Sequence, residues 1–208
     1  MIDRVAAYLS REFYEEQFQM EQVPETYLTP QYNLARGTYA TLLLMRDRRL
    51  RLERVRWGGL LGTQSFDPAD READASEIVQ KRRALFPVNG FFIWSDDREN
   101  TQPFYVKRID SDPIYIPAVI KTDSNGDQHF EILQQEANVL ILPLTQQMPR
   151  AILQEKIPVW LNEAIPEKDA LKRSEQEMGL SDLTVHRVSE DLNDPERNEE
   201  ELLRPLPK

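Results

Sequence analysis

Apolar and polar positions along the middle of this chain repeat mostly with the short periods of strands. The run Phe86-Pro87-Val88-Asn89-Gly90-Phe91-Phe92-Ile93-Trp94 sets four large apolar residues in a row and ends in polar Ser95-Asp96-Asp97-Arg98. A short apolar run bounded by turn signals predicts a strand buried on both faces, and Pro87 with Gly90 predicts the turn before it. Leu42–Met45 is a second apolar run. In the next stretch Leu50 and Leu52 alternate with Arg49 and Arg51. Val55 and Trp57 continue the alternation in the opposite phase, which predicts a half-buried strand with a bulge near Glu53. Further strands are predicted at Gln102–Val106, Asp112–Ile120 and His129–Leu133, with Asn125-Gly126 as a type I′ hairpin signal. Helical periodicity is scarce. Val5, Leu9 and Phe13 predict a helix in the later part of residues 2–18, after an extended start. The acidic stretch Ser65–Glu77 reads as a loop, followed by a short helix through Val79 and Arg83. Residues 166–179 read as a helix around Ala170, Leu171 and Met178. Closely spaced strands without βαβ alternation predict an α+β fold.

Composition narrows the chemistry. The 208 residues contain no Cys, which excludes disulfides, thiolate metal sites and cysteine nucleophiles. Two His residues are too few for a His-based zinc site, so no metal and no cofactor is expected. With seven Gly in all, and no nucleophile-elbow, P-loop or dinucleotide-turn motif, phosphate-cradling loops are not expected. The apolar runs are too short to span a membrane, and the N-terminus is unlike a signal peptide, so no membrane association and a cytoplasmic location are expected. Length suits one domain, residues 1–208.

The net charge of −10 disfavours general affinity for nucleic acid. From Pro166 onward, twelve acidic residues outweigh seven basic ones. Against this background Arg46, Arg48, Arg49, Arg51, Arg54 and Arg56 form one dense basic stretch. Two readings stand for it: a phosphate-binding face, or the solvated side of a hairpin whose arginines discourage edge pairing.

Several segments, in order, carry a family resemblance. They are Met1-Ile2-Asp3-Arg4, Tyr32-Asn33-Leu34-Ala35-Arg36, Arg56-Trp57-Gly58, Gly90-Phe91-Phe92-Ile93-Trp94, Gln102-Pro103, Glu136-Ala137-Asn138, Met148-Pro149, Trp160-Leu161 and Val188-Ser189. Together they resemble the SRAP (SOS response-associated peptidase) family from Met1 to about Pro205. The resemblance implies a curved, mainly antiparallel sheet closing toward a β-barrel with flanking helices, and the acidic segment 166–208 docked on it.

In that family a Cys at position 2, freed by Met removal, attacks the aldehyde of an abasic site in single-stranded DNA. Its amine and thiol then close a thiazolidine ring. A Glu and a His move protons, and an Asn positions the reactants. Here Ile2 stands for the Cys, Ile93 for the Glu and Thr145 for the His. The acidic segment Glu72–Glu77 stands where the Asn-Ala-Arg motif belongs, and Arg36 replaces the usual Pro. None of these replacements can perform the chemistry, so no catalytic residue is assigned. The expectation is a pseudoenzyme of the DNA damage response that binds single-stranded or abasic-site DNA without crosslinking it. Arg4, Asn33, Arg36, Arg56 and Trp57 are the candidate DNA contacts. Two alternatives remain open: a structural module with an unidentified protein partner and no DNA role, and a diverged enzyme forming a Schiff base through the Met1 amine.

Overall fold

The computed structural model describes residues 2–21, 23–58, 78–95 and 102–207. The predicted acidic loop at 65–77 lies outside them, as does Glu72–Glu77. The chain begins with β1 (Arg4–Ala7) and α1 (Arg11–Phe18), the extended start and later helix expected from the pattern. Ser10 ends the extended stretch by accepting a hydrogen bond from the Phe13 N–H, which satisfies one open donor of the helix. Then come β2 (Gln31–Ala35), β3 (Tyr39–Arg46), β4 (Arg49–Trp57), β5 (Ile78–Val88), β6 (Gly90–Trp94), β7 (Pro103–Arg108), β8 (Ile114–Asp123) and β9 (Gln128–Ile132).

The architecture is α+β, with a closed five-stranded barrel in the order β3-β4-β9-β8-β5. Every barrel pairing is antiparallel except β4 with β9. Those two strands run parallel and meet over two residue pairs, Arg56 with His129 and Trp57 with Phe130. A second sheet, completed by β14 (Leu183–Arg187), has the order β14-β7-β6-β1-β2. Between β9 and β14 lie β10 (Gln134–Glu136), β11 (Gln147–Pro149), β12 (Ala151–Ile152), α2 (Ile157–Leu161), α3 (Glu167–Ser174) and β13 (Glu175–Gln176).

Two cores cover the two faces of the barrel wall. Leu42, Leu44, Val55, Trp57, Ala84, Phe86, Ile116 and Phe130 belong to the inner cluster. Leu43, Leu52, Leu85 and Tyr115 belong to an outer cluster with Tyr14, Trp160 and Ala170, contributed by the three helices. This corrects the expected bulge near Glu53. The β3–β4 register runs unbroken from Tyr39–Arg56 to Arg46–Arg49. The change of phase arises because Leu50 and Leu52 pack outward against the helical layer, while Val55 and Trp57 point inward.

Four other expectations change. The helix through Val79 and Arg83 is the first half of β5, held by a ladder to β8 from Gln80–Thr122 to Val88–Ile114. Pro87 lies within that strand, so the chain passes from the barrel into the second sheet through Asn89 alone. Met178 lies beyond α3, which ends at Ser174. At the β8–β9 hairpin Gly126 takes a left-handed φ of 89°, while Asp123 Oδ1 accepts from the N–H groups of Asn125 and Asp127. Asn125 itself is outside the left-handed region, so the turn is not type I′.

Residues Phe91 to Ile93 are buried, as predicted, and divide between two cores. Phe91 and Ile93 join the inner cluster, and Phe92 packs with Ala6, Tyr105, Val188, Leu192 and Leu202. The last three bring the C-terminal segment onto the outer face of the second sheet. Gly90 opens β6 where a side chain has no room. A Cβ there would lie 2.5 Å from the Val106 carbonyl oxygen and 2.5 Å from the Tyr105 ring. Gly90→Ala is therefore expected to cost roughly 2–3 kcal/mol through overpacking against backbone. Urea unfolding reads this directly, and an unchanged midpoint would show that β7 can shift away from β6 at this point.

Candidate functional site

Ile2 and Ile93 both belong to the inner apolar cluster. Ile2 is 1% exposed and Ile93 2% exposed, among Val5, Leu34, Phe91 and Met148. The Ile2 N–H is satisfied internally by Gln134 Oε1 at 2.9 Å, at the start of β10. Thr145 is half-buried in the loop before β11, and its N–H donates to the Ile141 carbonyl at 3.1 Å. Asn138 shapes that loop: its Oδ1 accepts from Leu140 and Ile141, and its Nδ2 donates to the Met178 carbonyl at 2.8 Å. The segment that matches the family's Asn-Ala-Arg motif lies outside the described residues.

The candidate DNA contacts fall into two groups. Arg4 on β1 and Asn33 on β2 are joined by a hydrogen bond of 2.8 Å from Arg4 Nη1 to Asn33 Oδ1. Both reach the C-terminal segment. Arg4 donates to the Leu192 carbonyl at 2.6 Å, and Asn33 Nδ2 lies within hydrogen-bond distance of the carbonyls of Leu192, Asp194 and Arg197. Asn198 returns the contact, accepting from the Tyr32 and Asn33 N–H groups and donating to the Pro30 carbonyl.

The second group surrounds the barrel closure. Arg36 makes a two-pronged pair with Glu131, at 2.8 and 2.6 Å, and its stem crosses Gly58, where a Cβ would lie 2.7 Å from Arg36 Nε. Arg56 Nε donates to the Gly37 carbonyl at 3.1 Å. Trp57 is a core residue with no exposed surface. Its ring stacks on Phe130 at 6.1 Å and meets the Phe86 ring edge-on at 5.7 Å. The remaining arginines of the basic stretch divide as well. Arg46 pairs with Glu53, and Arg54 lies over the Tyr39 ring at 5.9 Å, while Arg48, Arg49 and Arg51 are exposed.

A cleft of about 540 Å³ opens beside β2 and β3, with Tyr27, Gln31, Thr38, Tyr39 and Arg54 in its wall. It shares no lining residue with Ile2, Ile93 or Thr145. Its wall also includes Asn33, Leu34 and Ala35 of the family-like segment Tyr32–Arg36, and the rest comes from several separated segments. Among the described residues no group of three or more His, Asp or Glu side chains is placed to hold a metal ion.

Residues 1–195 match the profile of the family described as SOS response associated peptidase (SRAP). The chain belongs to the SRAP family. It is 27% identical over 187 residues to the abasic site processing protein YedK of Escherichia coli K12, with 84% of each chain covered. It is 22% identical over 207 residues to the abasic site processing protein YoqW of Bacillus subtilis 168, covering 90% of this chain and 92% of the relative. Its fold is similar to that of a Bacteroides thetaiotaomicron protein, with a TM-score of 0.71 and 15% identity over 99% and 100% of the two chains. A phage-related protein of Bordetella bronchiseptica gives 0.65 and 19%, over 89% and 93%. Within this fold Ile2 and Ile93 are both buried members of the inner apolar cluster.

Two outcomes test this arrangement. Ile93→Glu places a carboxyl in the apolar cluster, which is expected to cost about 3 kcal/mol or more at neutral pH. Burial raises the folded-state pKa of such a carboxyl, so the loss should shrink as pH falls through that raised value, and urea unfolding at two pH values measures it. Unaltered stability at neutral pH would mean that water reaches this position. Asn33→Ala removes the donor serving the tail carbonyls and the acceptor of Arg4. A loss of about 2–3 kcal/mol and faster proteolysis between Leu192 and Arg204 are expected.

Proposed function

We propose that this SRAP-family chain is a binder of single-stranded or abasic-site DNA that does not crosslink it, a pseudoenzyme acting in the DNA damage response. The observation that carries the reading is the burial of Ile2 and Ile93 in a single apolar cluster. A nucleophile and a proton-transfer group need polar atoms facing the substrate, and hydrocarbon fills both positions. Relatives named abasic site processing proteins support the DNA substrate class. Exposed arginines at the β3–β4 hairpin supply positive charge on an otherwise acidic chain.

A second reading is a protein-interaction module without a DNA role. It is favoured by the engagement of Arg4, Asn33 and Arg36 with protein groups, since a side chain already bonded gives little to a phosphate. A Schiff base through the Met1 amine, the third reading, gives a reversible adduct that borohydride would trap.

The test is binding of labelled single-stranded DNA, with and without an abasic site, at about 50 mM and about 200 mM salt. Salt-sensitive binding with no adduct after borohydride is expected. A trapped adduct would return the chain to the enzymes, and absence of binding at the lower salt would favour the protein-interaction reading.

A further inference from the structure

We propose that the tip of the β3–β4 hairpin is a docking point for the phosphodiester backbone of a single strand; this rests on the DNA-binding reading above. Arg46 pairs with Arg49 in the ladder, leaving Asp47 and Arg48 as a two-residue turn. Both take left-handed backbone angles, with φ of 49° and 61°. A turn of this geometry favours Asn or Asp followed by Gly, because a Cβ is strained there. The chain places arginine at the glycine position.

The surroundings are cationic. Arg46, Arg48, Arg49 and Arg51 are all exposed, and Asp47 is the one acid among residues 46–51. Arg82 on the neighbouring strand adds a fifth cation, and Glu53 is already shared between Arg46, at 3.0 Å, and Arg82, at 3.3 Å. Among the described residues no ion pair engages Arg48, Arg49 or Arg51.

Edge protection accounts for part of this. β4 pairs with β9 only at Arg56 and Trp57, so the side of β4 away from β3 is unpaired from Arg49 to Val55 among the described residues, and Arg49 and Arg51 discourage a foreign strand there. It does not account for Arg48, which lies in the turn and guards no ladder.

The occupant follows from chemistry. Guanidinium forks match phosphate oxygens, and exposed mobile cations gain by releasing a polyanion's counterions. A protein partner would need apolar anchors, and none of the exposed large apolar side chains lies between residues 46 and 51. From Arg49 to Trp57 the strand spans about 26 Å at ~3.3 Å per residue. A short oligonucleotide held near the barrel closure therefore does not reach the tip, and a longer one does.

The experiment compares oligonucleotides of about 4 and about 30 nucleotides across a salt series. It uses the unaltered chain, Arg48→Gly, and Arg49→Gln with Arg51→Gln. The longer strand is expected to bind about threefold more weakly to Arg48→Gly and about tenfold more weakly to the double variant. The logarithmic salt slope should become shallower by roughly 0.7 per arginine removed, with short-strand binding unchanged. Arg48→Gly should keep its melting temperature within a few degrees, because glycine accepts the left-handed turn without strain. That separates lost binding from lost folding. Unaltered affinity and slope in both variants would overturn the docking tip and leave the DNA-binding reading standing. Failure of the unaltered chain to bind either strand at about 50 mM salt would overturn both.

Discussion

Asn89 joins two sheets with two hydrogen bonds, and the arrangement of the molecule depends on them. Its N–H donates to the Ala6 carbonyl at 2.8 Å, and its Oδ1 accepts from the Tyr8 N–H at the same distance. A buried backbone group left unpaired costs more than the bond itself contributes. The residue between β5 and β6 therefore cannot move without disturbing β1. Phe86 and Val88 are thereby fixed inside the barrel, and Phe91 and Ile93 continue the same apolar cluster from the second sheet. Gly90 completes the joint by letting the Tyr105 ring and the Val106 carbonyl come close to the backbone. One continuous apolar run thus serves two sheets and leaves Ile2 and Ile93 between them.

Much of this was legible in the sequence from short apolar runs and turn signals: the strands containing Leu42–Leu44, Tyr105, Ile116 and Phe130 fall where those runs placed them. Misreadings have physical sources. Val79 and Arg83 stand four apart among charged residues, which imitates a helical face until the ladder to β8 overrides it. The phase change in β4 imitates a bulge, because nothing local shows that a helical layer covers the outer face of the barrel. The environment of Arg4 and Asn33 was hidden for a different reason. Their partners are backbone carbonyls of residues 192–197, and a carbonyl has no sequence signature.

Ile2 and Ile93 add hydrocarbon to the inner core, where a carboxyl would have to be held at a cost in desolvation. The arginines that remain are held in different ways. Arg36 is fixed by Glu131 and Arg4 by the tail, so both act within the fold. Arg48, Arg49 and Arg51 at the hairpin tip are exposed instead.

The parallel contact between β4 and β9 has a consequence for how the molecule assembles. Arg56 with His129 and Trp57 with Phe130 are the two pairs that close the barrel, and they lie about a third of the chain apart. The β3–β4 and β8–β9 hairpins need only local loops, so they can form early. Closure must wait until both exist, and its entropic cost is met before the two short pairs return anything. Stacking of Trp57 on Phe130 then locks the seam from inside. The barrel's seam thus joins its two neighbours most distant along the chain, the pairing with the largest loop-closure cost.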